Sequence, residues 1–195
     1  MQDSKYCLEP KIGRMSESNE TPCWFVLRDL KRKNANNPAY KTLPEMGFET
    51  FTPMRWVLKD NTKGGKIRIY EPFIHGLLFA KAIKSELDKV VDKTDTLQYR
   101  FVKGMQRTPM VVPMAEMERF INTVTLDYAD CIYYSPEDVT PEMLNKKVMI
   151  VGGGMDGATG YLMTKRGSNK KRLMLQLKGL LVASVEITDG FIQLI

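Results

Sequence analysis

The chain has 195 residues, of which 43% are hydrophobic and 27% are charged, and its formal net charge is +6. This length allows one or two domains, and the ordinary globular composition excludes collagen-like and wholly disordered chains. Between residues 143 and 195, eight basic residues stand against three acidic ones. The positive charge therefore belongs mostly to the last quarter, which we expect to contact a polyanion or an acidic protein surface.

The cysteines Cys7, Cys23 and Cys131 are odd in number and form no Cys-x-x-Cys pair. We therefore expect neither a disulfide framework nor a metal site. The N-terminus lacks the apolar core of a signal peptide, and no apolar run reaches the ~18 residues of a membrane span. These features favour a cytoplasmic chain without a membrane partner.

The first part of the chain is predicted to alternate loops and strands. Residues 1–20 form a polar extension, and residues 23–27 form a buried strand of aromatic and β-branched type. After a basic loop, Pro38 can start a helix that Pro44 ends within a turn or two. Strand signatures then resume at residue 48 and continue across a Lys-Gly-Gly-Lys turn, which indicates a hairpin.

The next segment adds two helices to this sheet. Residues 71–79 are predicted to form an apolar strand entered through a proline, and Ile83, Leu87 and Val91 lie at helical spacing. Short strands are expected at 99–102 and 110–112, and Pro113 opens a second helix. The order predicts an α/β sandwich, with helices packed on a mostly antiparallel sheet, over residues 21–124.

The remaining residues have a different pattern. Residues 125–142 carry prolines and acids without a period and are predicted to be a linker. Residues 143–195 contain five short strand-like runs with no room for a helix. Such a pattern predicts a second domain, a small and strongly bent β-barrel.

A glycine-rich loop in this last domain has the spacing of a dinucleotide-binding loop. Gly152, Gly154 and Gly157 match G-x-G-x-x-G after a strand-like run, but β-branched residues and Gly160 follow where a helix is needed. Asp189 lies too far along the chain to be the ribose-binding acid. We therefore do not expect a nicotinamide enzyme and interpret the glycines as a tight corner of the barrel.

Four segments carry a resemblance to a known family. Residues 148–160, VMIVGGGMDGATG, resemble a KOW motif, although Gly154 and Met155 replace its usual proline and aromatic residue. The NGN domain of NusG-type transcription elongation factors is similar to three further segments: CWFVL at 23–27, PFIHGLLF at 72–79 and VPMAEM at 112–117. His75 and Leu77 stand where that family usually has proline and tyrosine. The polar leader and the Lys-Gly-Gly-Lys hairpin resemble the specialised UpxY-type antiterminators.

The resemblance implies both a fold and a function. The fold is α+β: an NGN-like N-terminal α/β sandwich with an antiparallel sheet and helices, plus a small C-terminal SH3-like β-barrel, the KOW domain. The function is that of a non-enzymatic, monomeric bacterial factor without a cofactor. It binds RNA polymerase through the NGN domain and suppresses pausing or termination, while the KOW domain docks a ribosomal protein or a termination factor.

The resemblance also implies three groups of binding residues. The polymerase-binding residues are on the apolar sheet: Trp24, Phe51, Phe73, Ile74 and Leu77. The residues expected to contact the non-template DNA strand are Lys31, Arg32, Lys33 and His75. The KOW partner-binding residues are basic: Lys165, Arg166, Lys170, Lys171 and Arg172.

Two alternatives remain open from the residues alone. A ribosome-associated KOW-type RNA-binding protein explains the basic C-terminal domain but leaves the N-terminal domain without a role. A solvated loop explains the basic run without any ligand.

His75, the only histidine, has no carboxylate or cysteine at ligand spacing, and no catalytic triad or Walker loop is present. We therefore expect no catalytic residue and no metal.

Overall fold

The structure is a computed structural model that describes residues 21–62, 64–126, 131–164, 169–177 and 179–195. The predicted polar extension at residues 1–20 lies outside this part of the chain. Within it, the architecture is mixed α and β with few helices and several antiparallel sheets. None of the described helices is both long and apolar enough to cross a membrane.

The first sheet is formed by strands from the N-terminal half, paired antiparallel in the order β2, β5, β1, β6, with β7 also paired to β1. Its strands are β1 (Cys23–Asp29), β2 (Glu49–Phe51), β5 (Leu77–Ala82), β6 (Leu97–Tyr99) and β7 (Val111–Val112). β1 and β5 are almost continuously apolar, which is expected for strands that are covered on both faces.

A separate two-stranded hairpin lies between β2 and β5 in the sequence. It consists of β3 (Met54–Asp60) and β4 (Lys66–Pro72), which pair antiparallel and are joined by the predicted turn, where Gly64 and Gly65 take positive φ angles. Most of its side chains are exposed or half-buried, so the hairpin is not part of the core.

The described residues of the N-terminal half also form three α-helices: α1 (Ala39–Glu45), α2 (Lys84–Lys93) and α3 (Met114–Leu126). Pro44 lies inside the last turn of α1, and the helix ends at the next residue, as its sequence predicts. α2 and α3 agree with the predicted amphipathic segments. The strand predicted at 99–102 is shorter than expected, since β6 ends at Tyr99 and Phe101 forms only an isolated bridge to Pro109.

The second sheet contains the five strands that the C-terminal pattern predicts and one more. They are β8 (Ile132–Tyr134), β9 (Lys146–Val151), β10 (Thr159–Thr164), β11 (Lys171–Leu177), β12 (Leu181–Glu186) and β13 (Phe191–Leu194). The antiparallel order is β13, β9, β10, β11, β12, β8. β8 comes from the segment predicted as a linker. It joins because Tyr133 and Tyr134 pair with β12.

The two faces of β1 belong to two different hydrophobic clusters. Phe25 and Leu27 pack with α1, α2 and the apolar side chains of β5 on one face. Trp24 and Val26 lie on the other face, in a cluster that contains α3 and also the interior of the second sheet, including Val148 and Leu175. The N-terminal sheet and the C-terminal sheet therefore share one apolar core, with α3 between them.

Candidate nucleic-acid interface

The four residues predicted to contact nucleic acid line one surface cavity. Lys31, Arg32 and Lys33 follow β1, whereas His75 precedes β5. Because β1 and β5 are antiparallel, with Arg28 opposite Leu77, the end of one strand lies beside the start of the other. The register of the sheet thus brings two distant segments of the sequence together.

Gly76 permits the close approach of these two segments. It has a φ of +77°, and a Cβ atom at this position would overlap the backbone carbonyl oxygen of Asp29. The Asp29 amide in turn donates to the Gly76 carbonyl oxygen at 2.8 Å. Only glycine combines this backbone conformation with this proximity, so Gly76 sets the position of His75 against the basic loop.

Hydrogen bonds to the Asp29 carboxylate hold the basic loop in place. Its side chain is buried, and its two carboxylate oxygens accept hydrogen bonds from the backbone amides of Lys31, at 2.9 Å, and Ala39, at 2.6 Å. The Lys31 ammonium donates to the Asn37 carbonyl oxygen at 2.5 Å. The loop between β1 and α1 is therefore closed on itself, while Arg32 and Lys33 remain exposed.

Basic side chains outnumber acidic ones in the lining of the cavity. Glu71 also lines it, but this carboxylate is bound to the Lys59 ammonium. The hydrogen bond from Lys59 is the largest effect and lowers the pKa of Glu71. Burial opposes it with the next largest effect, and the charges of Lys59, Lys33 and Arg55 lower the pKa further. Glu71 is therefore ionised and largely compensated at neutral pH, which leaves the basic loop to set the local charge.

The size of the cavity limits what it can bind. Its volume is about 50 Å³, well below the ~300–1,000 Å³ of pockets that bury a small-molecule ligand. The arrangement instead suits contact with a phosphate backbone lying across the surface, where charge matters more than enclosure.

The residues predicted to bind polymerase have different surroundings. Trp24, Phe51 and Leu77 are buried in the core that the two sheets share. Phe73 and Ile74 are half-buried and pack against its edge, where the ring centroids of Phe73 and Tyr133 are 5.8 Å apart. In this arrangement the C-terminal unit covers the predicted apolar surface.

The basic residues predicted to bind a KOW partner are divided. Lys165 and Arg166 lie outside the described residues. Lys170 pairs with Glu186 at 2.6 Å, and the Arg172 guanidinium donates to the Ser184 hydroxyl at 2.8 Å and to its carbonyl oxygen at 2.7 Å. These two side chains therefore brace β11 against β12, while Lys171 is exposed.

The glycine-rich loop connects two antiparallel strands, β9 and β10, with no helix after it. Its backbone amides are occupied by carboxylates of the chain itself: Gly152 donates to Asp156 at 2.6 Å, and Gly154 donates to Asp189 at 3.2 Å. Gly152, Gly153 and Gly157 take positive φ angles. The predicted corner is confirmed, and Asp189 is found to be an acceptor within that corner.

Three residues at the cavity were not predicted from the sequence. Tyr40 lines it from α1, Asp29 supports the loop, and Gly76 allows the approach. The run Asn37-Pro38 indicated the helix that carries Tyr40, but no sequence signal placed its ring at the cavity. Among the described residues, no group of three or more His, Cys, Asp and Glu side chains could hold a metal ion.

Comparisons with known proteins find similarity among solved structures only. No protein-family model matches the chain, and no curated protein matches it. The fold is similar to a solved structure that describes domain interaction in Thermotoga maritima NusG. The TM-score is 0.44, the sequence identity is 13%, and the match covers 89% of this chain and 97% of that chain.

Proposed function

We propose that this protein is a transcription elongation and antitermination factor. It binds RNA polymerase through its N-terminal unit and contacts the non-template DNA strand through the cavity that Lys31, Arg32, Lys33 and His75 line. The observation that carries the proposal is the convergence of these four residues at one surface cavity. In this role the protein acts in the cytoplasm as a monomer and catalyses no reaction.

The chemistry of the cavity suits a sequence-independent contact with DNA. Flexible basic side chains neutralise phosphates whatever the base sequence. His75 and Tyr40 add two rings beside the basic loop, and bases of an unpaired strand can stack on aromatic rings. A displaced single strand, such as the non-template strand of a transcription bubble, offers both phosphates and unpaired bases.

The apolar contact with polymerase is assigned to Phe73 and Ile74. Burial of two such side chains against a partner contributes several kcal/mol, at ~25 cal/mol per Å² of apolar surface. Trp24, Phe51 and Leu77 support these two residues from the core. Because Tyr133 packs on Phe73, this contact requires the C-terminal unit to move away from α3 first.

The C-terminal unit then serves as a second docking domain, for a ribosomal protein or a termination factor. We assign its contact to Lys171 and to the basic residues predicted from the sequence between β10 and β11, Lys165 and Arg166. In the most specific version of this proposal, the protein is a specialised UpxY-type antiterminator that acts on few operons. Mapping the protein along DNA in cells would separate it from a general factor, which should accompany polymerase on most genes.

The proposal is tested by co-purification with RNA polymerase and by a pausing assay on a single template. We expect the full chain to bind polymerase and shorten pauses, and we expect Phe73→Ala with Ile74→Ala to abolish binding. The triple variant Lys31→Ala, Arg32→Ala and Lys33→Ala should keep the polymerase contact but lose the effect on pausing.

A matched control carries the same charge change elsewhere on the surface: Lys89→Ala, Lys93→Ala and Lys103→Ala, which are all exposed. This control should behave as the unmodified protein. Failure of the full chain to bind polymerase would contradict the proposal. Sedimentation with ribosomes instead would favour the ribosome-associated RNA-binding protein.

A further inference from the structure

The β3–β4 hairpin presents an aromatic surface that the described part of the chain does not cover. Trp56 is 50% exposed and Leu58 is 69% exposed. The hairpin pairs with neither of the two larger sheets. Since an isolated two-stranded hairpin gains little stability from exposed rings, their position is better explained by recognition than by folding.

The rings on this surface form a compact stacking platform. Trp56 lies directly opposite Tyr70 in the register, and their ring centroids are 4.8 Å apart. The Arg68 guanidinium lies 4.6 Å from the centroid of the Trp56 ring. The guanidinium covers part of the Trp56 ring, but Trp56 and Tyr70 both remain partly exposed. The exposed parts of the rings offer π surface for bases, and the guanidinium offers a positive charge for phosphate.

The charge of the hairpin matches a polyanion. Residues 54–72 contain five basic side chains against two acidic ones. One of the two acids, Glu71, is bound to Lys59. A groove for an apolar protein segment would not need this excess of positive charge, whereas a nucleic acid strand does.

This surface differs from the cavity already described. Successive residues of a strand point to opposite faces, so Trp56 and Tyr70 face away from Glu71. Glu71 is the hairpin residue that lines the cavity together with His75 and the basic loop. The hairpin thus separates the cavity from the aromatic surface.

We propose that the aromatic face of the hairpin, formed by Trp56, Tyr70 and Arg68, is a binding site for single-stranded nucleic acid. Unpaired bases stack on Trp56 and Tyr70, and Arg68 with Lys66 contacts the adjoining phosphates. Duplexes bind weakly here because their bases are stacked inside the helix and offer no free faces. The site does not depend on polymerase binding, so it can be tested on the purified protein alone.

The experiment titrates the full chain with an oligothymidylate of about 15 nucleotides, a length typical of single-strand sites, and with a duplex of the same length. The tryptophans give a built-in signal, because Trp24 is only 1% exposed whereas Trp56 is accessible. We expect the single strand to quench Trp56 fluorescence and to bind at least tenfold more tightly than the duplex.

Variants test the contribution of stacking, with binding measured by the fluorescence anisotropy of a labelled oligothymidylate because they lack the Trp56 signal. Trp56→Ala should weaken single-strand binding by about tenfold, since it removes one stacking surface, while Trp56→Phe should retain most of the affinity. The control is Phe101→Ala, which removes another ring that is 50% exposed but lies outside the hairpin, and it should bind as the unmodified chain does. Equal melting temperatures would show that the variants are folded.

Four outcomes would overturn the proposal. The first is a duplex that binds as tightly as the single strand, and the second is a Trp56→Ala variant with unchanged affinity for the single strand. If the triple alanine variant of Lys31, Arg32 and Lys33 abolishes single-strand binding while Trp56→Ala does not weaken it, the cavity is the site. If Trp56→Ala changes only self-association or capture of a protein partner, the hairpin docks protein.

Discussion

Gly76 and Gly104 show how the same backbone conformation has different consequences at two positions. Both have positive φ angles, +77° and +82°, but a Cβ at Gly76 would overlap the Asp29 backbone whereas a Cβ at Gly104 meets nothing within 4 Å. An alanine in the left-handed region costs about 1 kcal/mol on conformational grounds alone. A steric overlap with backbone adds to this cost, because the backbone must shift.

We therefore predict that Gly104→Ala lowers the free energy of unfolding by about 1 kcal/mol and that Gly76→Ala lowers it by at least about 2 kcal/mol more. Urea denaturation of the two variants measures the difference. Gly76→Ala should also weaken DNA binding, since it displaces His75 from the basic loop. Equal losses of stability in the two variants would contradict the close approach of Gly76 and Asp29.

At the scale of elements, the loop between β1 and α1 depends on one buried carboxylate. Asp29 accepts from the Lys31 and Ala39 amides, and α1 has no side-chain cap at Pro38. We predict that Asp29→Ala destabilises the protein by about 1–3 kcal/mol, because two amides lose their acceptor. The loss should appear as faster hydrogen exchange in the loop and the first turn of α1.

The control for this prediction is Asp95→Ala, which makes the same charge change at an exposed position. It should change the free energy of unfolding by less than about 0.5 kcal/mol. If the two variants were equally stable, the Asp29 carboxylate would not be holding the loop. Thermal unfolding followed by circular dichroism distinguishes these outcomes.

Most elements could be predicted from local sequence patterns. The apolar run of β1, the glycines between β3 and β4, and the helical spacing in α2 and α3 are local signals with a direct physical cause. The extent of β6 was less predictable. Its end depends on tertiary hydrogen bonds: the Arg100 amide donates to Val26, and the Met110 amide donates to Arg100.

Of the cavity, only the charged residues that line it could be predicted from the sequence. Its shape depends on which strands pair and in what register, and no local pattern shows that Arg28 lies opposite Leu77. Tyr40 lines the cavity for the same reason, since α1 packs beside the end of β1. Long-range pairing is therefore where local sequence patterns cease to be informative.

At the scale of the molecule, the two faces of the first sheet have different neighbours. Among the described residues, one face packs on α1 and α2, in a cluster that includes Leu87. The other face, with α3, shares its core with the second sheet, and Phe120 belongs to this shared cluster. The continuous apolar run of β1 indicated that both faces of the strand are apolar. It did not indicate that the second sheet covers one of them.

Because the two faces have different neighbours, we predict that substitutions in the two clusters destabilise different parts of the molecule. Phe120→Ala should lower the free energy of unfolding by about 3–5 kcal/mol and Leu87→Ala by about 2–5 kcal/mol. Phe120 also lies beside Leu175 and Leu177 of β11. We therefore expect Phe120→Ala to speed hydrogen exchange in β11 and β12, whereas Leu87→Ala should affect mainly α2 and β6. If Phe120→Ala prevents folding, the milder Phe120→Leu gives the same comparison. Unchanged exchange in β11 would mean that the two units do not share a core in solution.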